Sequence, residues 1–120
     1  MIIKKEVLLV DGYNMIGAWP NLVSLKEQDK MEDARDLLLR EISNYSYYKK
    51  IKTIVVFDAH FVPGIHKKYG YRSIEVVFTQ EDETADAYIE ANLEKYQNAL
   101  TNVTVATSDY AEQRIVLGKG

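Results

Sequence analysis

Four short apolar runs rich in Val, Ile and Leu punctuate the chain: Val7–Val10, Ile51–Phe57, Ile74–Phe78 and Val103–Ala106. Stretches such as Thr53-Ile-Val-Val-Phe57 do not alternate with polar residues, so they read as strands covered on both faces, as in a parallel sheet. Between the first two runs, Met31, Ala34, Leu38, Ile42 and Tyr45 recur at intervals of three and four, the period of an amphipathic helix. Asp29 is placed to cap its start, with Glu32 in the capping-box position. Between the third and fourth runs, Ala85, Ile89, Leu93 and Tyr96 repeat the spacing, and a last helix is expected to start near Ser108 or Asp109. The order reads β-α-β-loop-β-α-β-α.

Strands that alternate with helices imply a three-layer α/β domain with a mostly parallel sheet of at least four strands, because parallel neighbours need crossovers. Residues 1–120 are expected to form a single domain, since one domain takes about 100–200 residues. The segment Ala59 to Ser73 contains Pro63-Gly64 and Gly70, lacks helical periodicity and reads as a long surface loop of the functional kind.

Composition narrows the function classes. The absence of Cys excludes disulfide scaffolds, thiolate zinc sites and a cysteine nucleophile, and it suits a reducing compartment. Charge appears too early for a secretory signal, and no apolar run reaches the ~18 residues of a membrane span, so a cytoplasmic protein without a membrane partner is expected. A net charge of −3 argues against an all-over basic coat for nucleic acid. The distribution says more. No acid lies between Asp58 and Glu75, where His60, His66, Lys67, Lys68 and Arg72 mix with Phe61, Tyr69 and Tyr71, whereas Ser73 to Glu94 carries seven acids and no Lys or Arg.

Asp11 directly follows the first apolar run, Asp58 the second, and Asp109 comes three residues after the fourth; Asp86 lies at the start of the helix after the third. In an open parallel sheet, ligands bind in the crevice beyond the carboxyl ends of the strands, the edge from which all four acids come. Two carboxylates ~4 Å apart repel by about 4 kcal/mol at an effective dielectric of ~20, so either they titrate upward or a cation sits among them. Oxygen ligands without Cys favour Mg²⁺ or Mn²⁺, one ion or a pair, and such ions assist phosphodiester hydrolysis. Each acid also has a purely structural role open to it: a turn at Asp11-Gly12, a strand end at Asp58, a helix N-terminus for Asp86, a capping box for Asp109 with Glu112. Glu83 stands one turn before Asp86 and is placed to face the same crevice.

Asn14 is placed to orient Asp11 or to bind a phosphate oxygen, and Thr107 and Ser108 precede Asp109 at a helix start, where anions are held well. An Asx turn and an N-cap serve equally well for Asn14 and Ser108. Lys67, Lys68 and Arg72 can neutralise phosphates while Tyr69 and Tyr71 offer faces for unpaired bases, which makes RNA the candidate partner. His60 and His66 read as loop residues.

The motif Leu8-Leu-Val-Asp-Gly-Tyr-Asn-Met-Ile-Gly-Ala-Trp19 resembles the opening of the bacterial YacP proteins, members of the NYN group of nucleases related to PIN domains. The similarity continues through Glu32-Asp-Ala-Arg-Asp36, Val55-Val-Phe-Asp-Ala-His60, Val76-Val-Phe-Thr79, Glu83-Thr-Ala-Asp86 and Ala106-Thr-Ser-Asp-Tyr110. The resemblance implies a PIN-like (Rossmann-like) fold and a divalent-metal-dependent endoribonuclease, with mRNA cleaved on the translating ribosome by the closest relatives. Carried over by motif, Asp11 and Asp86 are the leading catalytic and metal-binding candidates, Asp109 comes next, and Asp58, Glu83 and Asn14 support them. YacP-like chains usually run on past Gly-Lys-Gly into a helical, charged tail, which this chain is expected to lack. Two other functions fit the residues: a non-catalytic RNA- or ribosome-binding module, and an aspartate-based phosphoryl-transfer domain with Asp11 as metal ligand, Asp58 as phosphoacceptor and Thr107 as switch hydroxyl. Asp86 has no role in the latter.

Overall fold

Successive residues of the apolar runs serve two different cores, which is why the runs do not alternate with polar positions. The computed structural model describes residues 5–58, 68–96 and 101–106. Its elements are β1 (Lys5–Asp11), α1 (Gly12–Ala18), α2 (Pro20–Glu27), α3 (Met31–Lys49), β2 (Lys52–Phe57), β3 (Lys68–Tyr71), β4 (Ile74–Phe78), α4 (Ala85–Tyr96) and β5 (Thr101–Ala106). Leu8, Val10, Val55, Phe57, Val76 and Phe78 pack with Ile16, Leu22, Ala34, Leu38 and Ile42 of α1–α3. On the other face, Val7, Leu9, Ile54, Val56 and Val77 pack with Ala85, Ile89 and Leu93 of α4. Full burial of one such side chain is worth roughly 1.5–3 kcal/mol, against about 0–1 kcal/mol for a surface ion pair. The two apolar faces therefore hold the three layers together.

The sheet order is β3-β4-β2-β1-β5, parallel throughout except for β3, which pairs antiparallel with β4. From β1 the chain moves to β2 and then β4 on one side. It then returns through α4 to place β5 on the other side of β1. The direction of winding thus reverses at β1, and the carboxyl end of β1 opens onto the crevice that such a reversal creates.

The structure departs from the sequence reading in three places. Two short helices, α1 and α2, precede α3 where one helix was expected. Asp29 does not cap α3: it sits after α2 in the left-handed region (φ 57°), and Lys30 holds the N-cap position without a side-chain hydrogen bond. A short polar side chain tolerates that conformation, and the chain needs it to turn from one helix into the next. Part of the expected surface loop, Lys68–Tyr71, is an edge strand whose four residues alternate outward and half-buried. The helix expected near Ser108 lies outside the described residues. No helix among the described residues is long and apolar enough to cross a membrane.

Candidate active site

Asp11 ends β1 and caps α1, so one residue both closes a strand and opens a helix. Its backbone is still extended (φ −82°, ψ 100°), and its Oδ1 accepts the amide of Asn14 at 3.3 Å. The residue is only 7% exposed. Helix-start amides and the positive end of the helix dipole favour a carboxylate here despite the burial. The turn depends on Gly12, because a Cβ at that position would lie 2.3 Å from Cε1 of Phe57.

Parallel pairing sets Asp11 opposite Val56, so Asp58 stands two residues further along the neighbouring strand's path. Its Oδ2 accepts the amide of Ala85 at 3.4 Å, tying the end of β2 to the start of α4. Asp86, exposed, follows in the first turn of α4. Thr84 caps that helix, its Oγ1 accepting the amide of Ala87 at 3.0 Å. The approach to the cap is also held. The amide of Thr79 donates to the carbonyl of Phe57 at 3.0 Å, and its hydroxyl donates to the carbonyl of Glu83 at 2.8 Å. Asp11, Asp58, Glu83 and Asp86 therefore belong to one edge of the sheet, with Asn14 attached through its backbone. Ala106 of β5 pairs with Val10, beside Asp11. The residues that follow it, Thr107, Ser108 and Asp109, lie outside the described residues.

Two residues at this edge carry roles that spacing did not suggest. Arg35 of α3 donates from Nη1 to the hydroxyl of Tyr13 at 3.3 Å, and the Tyr13 ring packs on Phe57 with centroids 5.0 Å apart. Burial pushes the Tyr13 phenol up; the Arg35 guanidinium opposes that shift by charge and hydrogen bond, and the charge of Asp58 adds to it. Burial raises the Tyr69 phenol as well, with Asp36 adding and Arg35 opposing. A cation thus stands among the tyrosines beside the acids. In the sequence Arg35 showed itself only as a member of the Glu32–Asp36 motif on an amphipathic helix, with no role attached. Rings continue the contact across the strand ends: Phe57 stacks on Phe78 at 5.2 Å, and Phe78 on Tyr69 at 6.4 Å.

The basic segment is divided by β3. Lys68 pairs with Val77 near the carboxyl end of β4, and its Nζ lies 5.5 Å over the ring of Tyr88 on α4. There it borders a groove of ≈ 420 Å³ that Thr79, Gln80 and Glu83 also line. Tyr69 and Tyr71 are half-buried against the α1–α3 core. Arg72, about 14 Å further along at ~3.4 Å per residue, lies at the opposite edge of the sheet. Lys67 lies outside the described residues.

Among the described residues no three His, Cys, Asp or Glu side chains form a ready-made metal site. Mg²⁺ commonly takes only one or two protein carboxylates and keeps several waters. An all-oxygen set drawn from Asp11, Asp58 and Asp86 suits such an ion in chemistry, and it lacks the nitrogen or sulfur donors that would select zinc.

The chain has close relatives. The YacP of Bacillus subtilis (strain 168) is 50% identical over 115 residues, covering 96% of this chain and 67% of that protein. A crystal structure of Rae1 (YacP) from Bacillus subtilis, in a single-substitution mutant form, matches with a TM-score of 0.79 and 46% identity, over 96% of this chain and 66% of that one. A second crystal structure of Rae1 (YacP) from Bacillus subtilis matches with a TM-score of 0.77 and 50% identity, over 95% of this chain and 65% of that one. The chain thus spans about two thirds of the length of these relatives. A family model described as a YacP-like NYN domain matches residues 8–120. With that match running almost end to end and half the residues shared with a named member, the chain belongs to the YacP-like NYN family and has the fold of a nuclease-like domain.

Proposed function

We propose that the chain is a divalent-metal-dependent endoribonuclease that cleaves mRNA in association with the translating ribosome. The observation that carries this reading is the buried Asp11 at the winding reversal, sharing its edge with Asp58 and with the α4 start that bears Asp86. Asp11 and Asp86 are the residues proposed to hold Mg²⁺ or Mn²⁺, with Asp58 and Asp109 completing the set. Such an ion supplies positive charge for the attacking water and for the departing oxygen of a phosphodiester. The protein's own part is positioning. The N-cap bond from Asn14 fixes the rotamer of Asp11, and the Asp58–Ala85 bond fixes the approach of α4. Arg35 donates to the Tyr13 hydroxyl and so holds the ring that packs on Phe57 beside the Asp11 turn.

Wild type and Asp86→Asn compared for mRNA cleavage in a translating extract with Mg²⁺ test the proposal. Asp86 is exposed, so the substitution leaves the fold intact; loss of cleavage is expected, and full activity in the variant refutes the assignment. Naked RNA is a weaker substrate for this purpose, because a ribosome-dependent enzyme would look inactive on it.

A further inference from the structure

The three large apolar side chains that stand most exposed among the described residues crowd one helix end: Tyr45, Tyr47 and Tyr48, at 48%, 79% and 79%. They occupy the last turns of α3, directly before Lys49, Lys50 and Lys52, and no acid occurs between Glu41 and Asp58. A lone exposed tyrosine is ordinary, whereas a cluster marks an interaction surface. The turn between β3 and β4 joins it. The Ser73 hydroxyl donates to the Ser43 carbonyl at 2.8 Å, and the Ser73 amide donates to the Ser43 hydroxyl at 3.4 Å. Between helix and turn opens a groove of ≈ 430 Å³ lined by Ser43, Asn44, Tyr47, Arg72 and Ser73. It holds hydroxyls, an amide, an aromatic face and a cation, and no carboxylate.

The backbone supplies a second, independent observation. Lys50 (φ 57°) and Arg72 (φ 52°) are two of the three non-glycine residues at positive φ among the described residues. Lys50 ends α3, where glycine is the favoured residue, and Arg72 lies in a two-residue hairpin connection, where Gly, Asn and Asp dominate. Two cations are therefore kept, against local conformational preference, on the same edge as the tyrosines. Strained positions of this kind are retained where the side chain has a task.

We propose that this amino edge of the sheet, opposite the acids, grips single-stranded RNA: Lys50 and Arg72 neutralise phosphates while Tyr47 and Tyr48 stack on bases. The partner class rests on the endoribonuclease reading above, and the surface deepens that reading by giving the substrate a second hold, a strand's length from the acids. A groove lined without a carboxylate, flanked by the exposed rings of Tyr47 and Tyr48, the latter with the Lys49 ammonium 5.7 Å from its centroid, matches unpaired nucleotides, which offer both phosphate charge and base planes.

The test is binding of a labelled single-stranded RNA oligonucleotide to the chain in EDTA, so that no cleavage is required. In Lys50→Gly/Arg72→Gly the dependence of log affinity on log salt should flatten by about 1.4, the value for two phosphate contacts on a single strand. The melting temperature should stay level or rise, because glycine relieves both backbone strains. If the glycines loosen the chain, Lys50→Asn/Arg72→Asn keeps the left-handed conformation with the charges removed. Tyr47→Ala and Tyr48→Ala should each weaken binding about fivefold or more. Unchanged affinity and salt slope in these variants overturn the proposal. So does binding of a base-free polyphosphate as tight as that of RNA and indifferent to the tyrosines. An inactive chain that still binds through these residues sinks the nuclease reading and leaves this surface standing.

Discussion

The Phe57 ring occupies the space that any side chain at position 12 would need: a Cβ on Gly12 would stand 2.3 Å from its Cε1 and 2.5 Å from its Cδ1. Phe57 is fully buried and wedged between Tyr13 and Phe78, so it cannot withdraw. The residue after Asp11 is therefore fixed by the end of the neighbouring strand. Gly12→Ala should destabilise the chain by about 1–3 kcal/mol in urea unfolding, the usual range for overpacking. Adding Phe57→Leu should recover part of that loss, and strictly additive effects of the two changes would contradict the contact.

Asp11 combines a structural duty with a proposed chemical one, and two substitutions separate them. Asn caps helices as well as Asp does, so Asp11→Asn should unfold within about 0.5 kcal/mol of wild type while mRNA cleavage is lost. Asp11→Ala removes the cap too and should cost about 1 kcal/mol more. Retained cleavage in Asp11→Asn would remove Asp11 from the metal site.

The raised Tyr13 phenol gives an alkaline signature. Below about pH 10 the phenol is neutral in folded and unfolded chains alike, so its contribution to stability is fully present and does not vary with pH. Above that value the unfolded chain releases its proton first, so stability falls until the folded phenol also ionises. Tyr13→Phe should lose roughly 0.5–1.5 kcal/mol at neutral pH with the Arg35 hydrogen bond, yet lose less than wild type between about pH 8 and about pH 11. Urea midpoints at the two pH values measure this, and parallel declines would show that Tyr13 contributes nothing.

Thr84 holds the start of α4, which carries Asp86. Thr84→Ala should cost about 1 kcal/mol, and Thr84→Ser should restore most of it, in thermal or urea unfolding. Under the proposed chemistry, Thr84→Ala also reduces cleavage by more than its small stability loss explains, because Asp86 then rides on a frayed turn.

Much of the architecture was legible because burial on both faces writes itself as unbroken apolar runs, and α3 and α4 write themselves as three-and-four spacing. Asp11, Asp58 and Asp86 were legible for the same reason, since each sits where such a run ends or a helix begins. What escaped reading has physical causes. Helix α1 holds two glycines and α2 opens on Pro20, so neither has a long apolar stripe. Strand β3, Lys-Tyr-Gly-Tyr, is too short for its alternation to stand out, and it carries no β-branched residue. Missing it merged Lys68 and Arg72 into one basic patch, when the strand carries them to opposite edges. Arg35 meets Tyr13 across 22 residues, a contact that only tertiary packing creates.

Strand β1 pairs with β2 on one flank and with β5 on the other, Lys5 lying opposite Thr101. A chain made from its N-terminus can form the first flank long before the second exists, because β5 emerges only after β2, β3, β4 and α4. Contacts between such distant parts of a sequence form slowly and late. The crevice beside Asp11 consequently has one wall until β5 has emerged and docked, and a growing chain that has made only β1 and β2 leaves the buried aspartate open on its other flank.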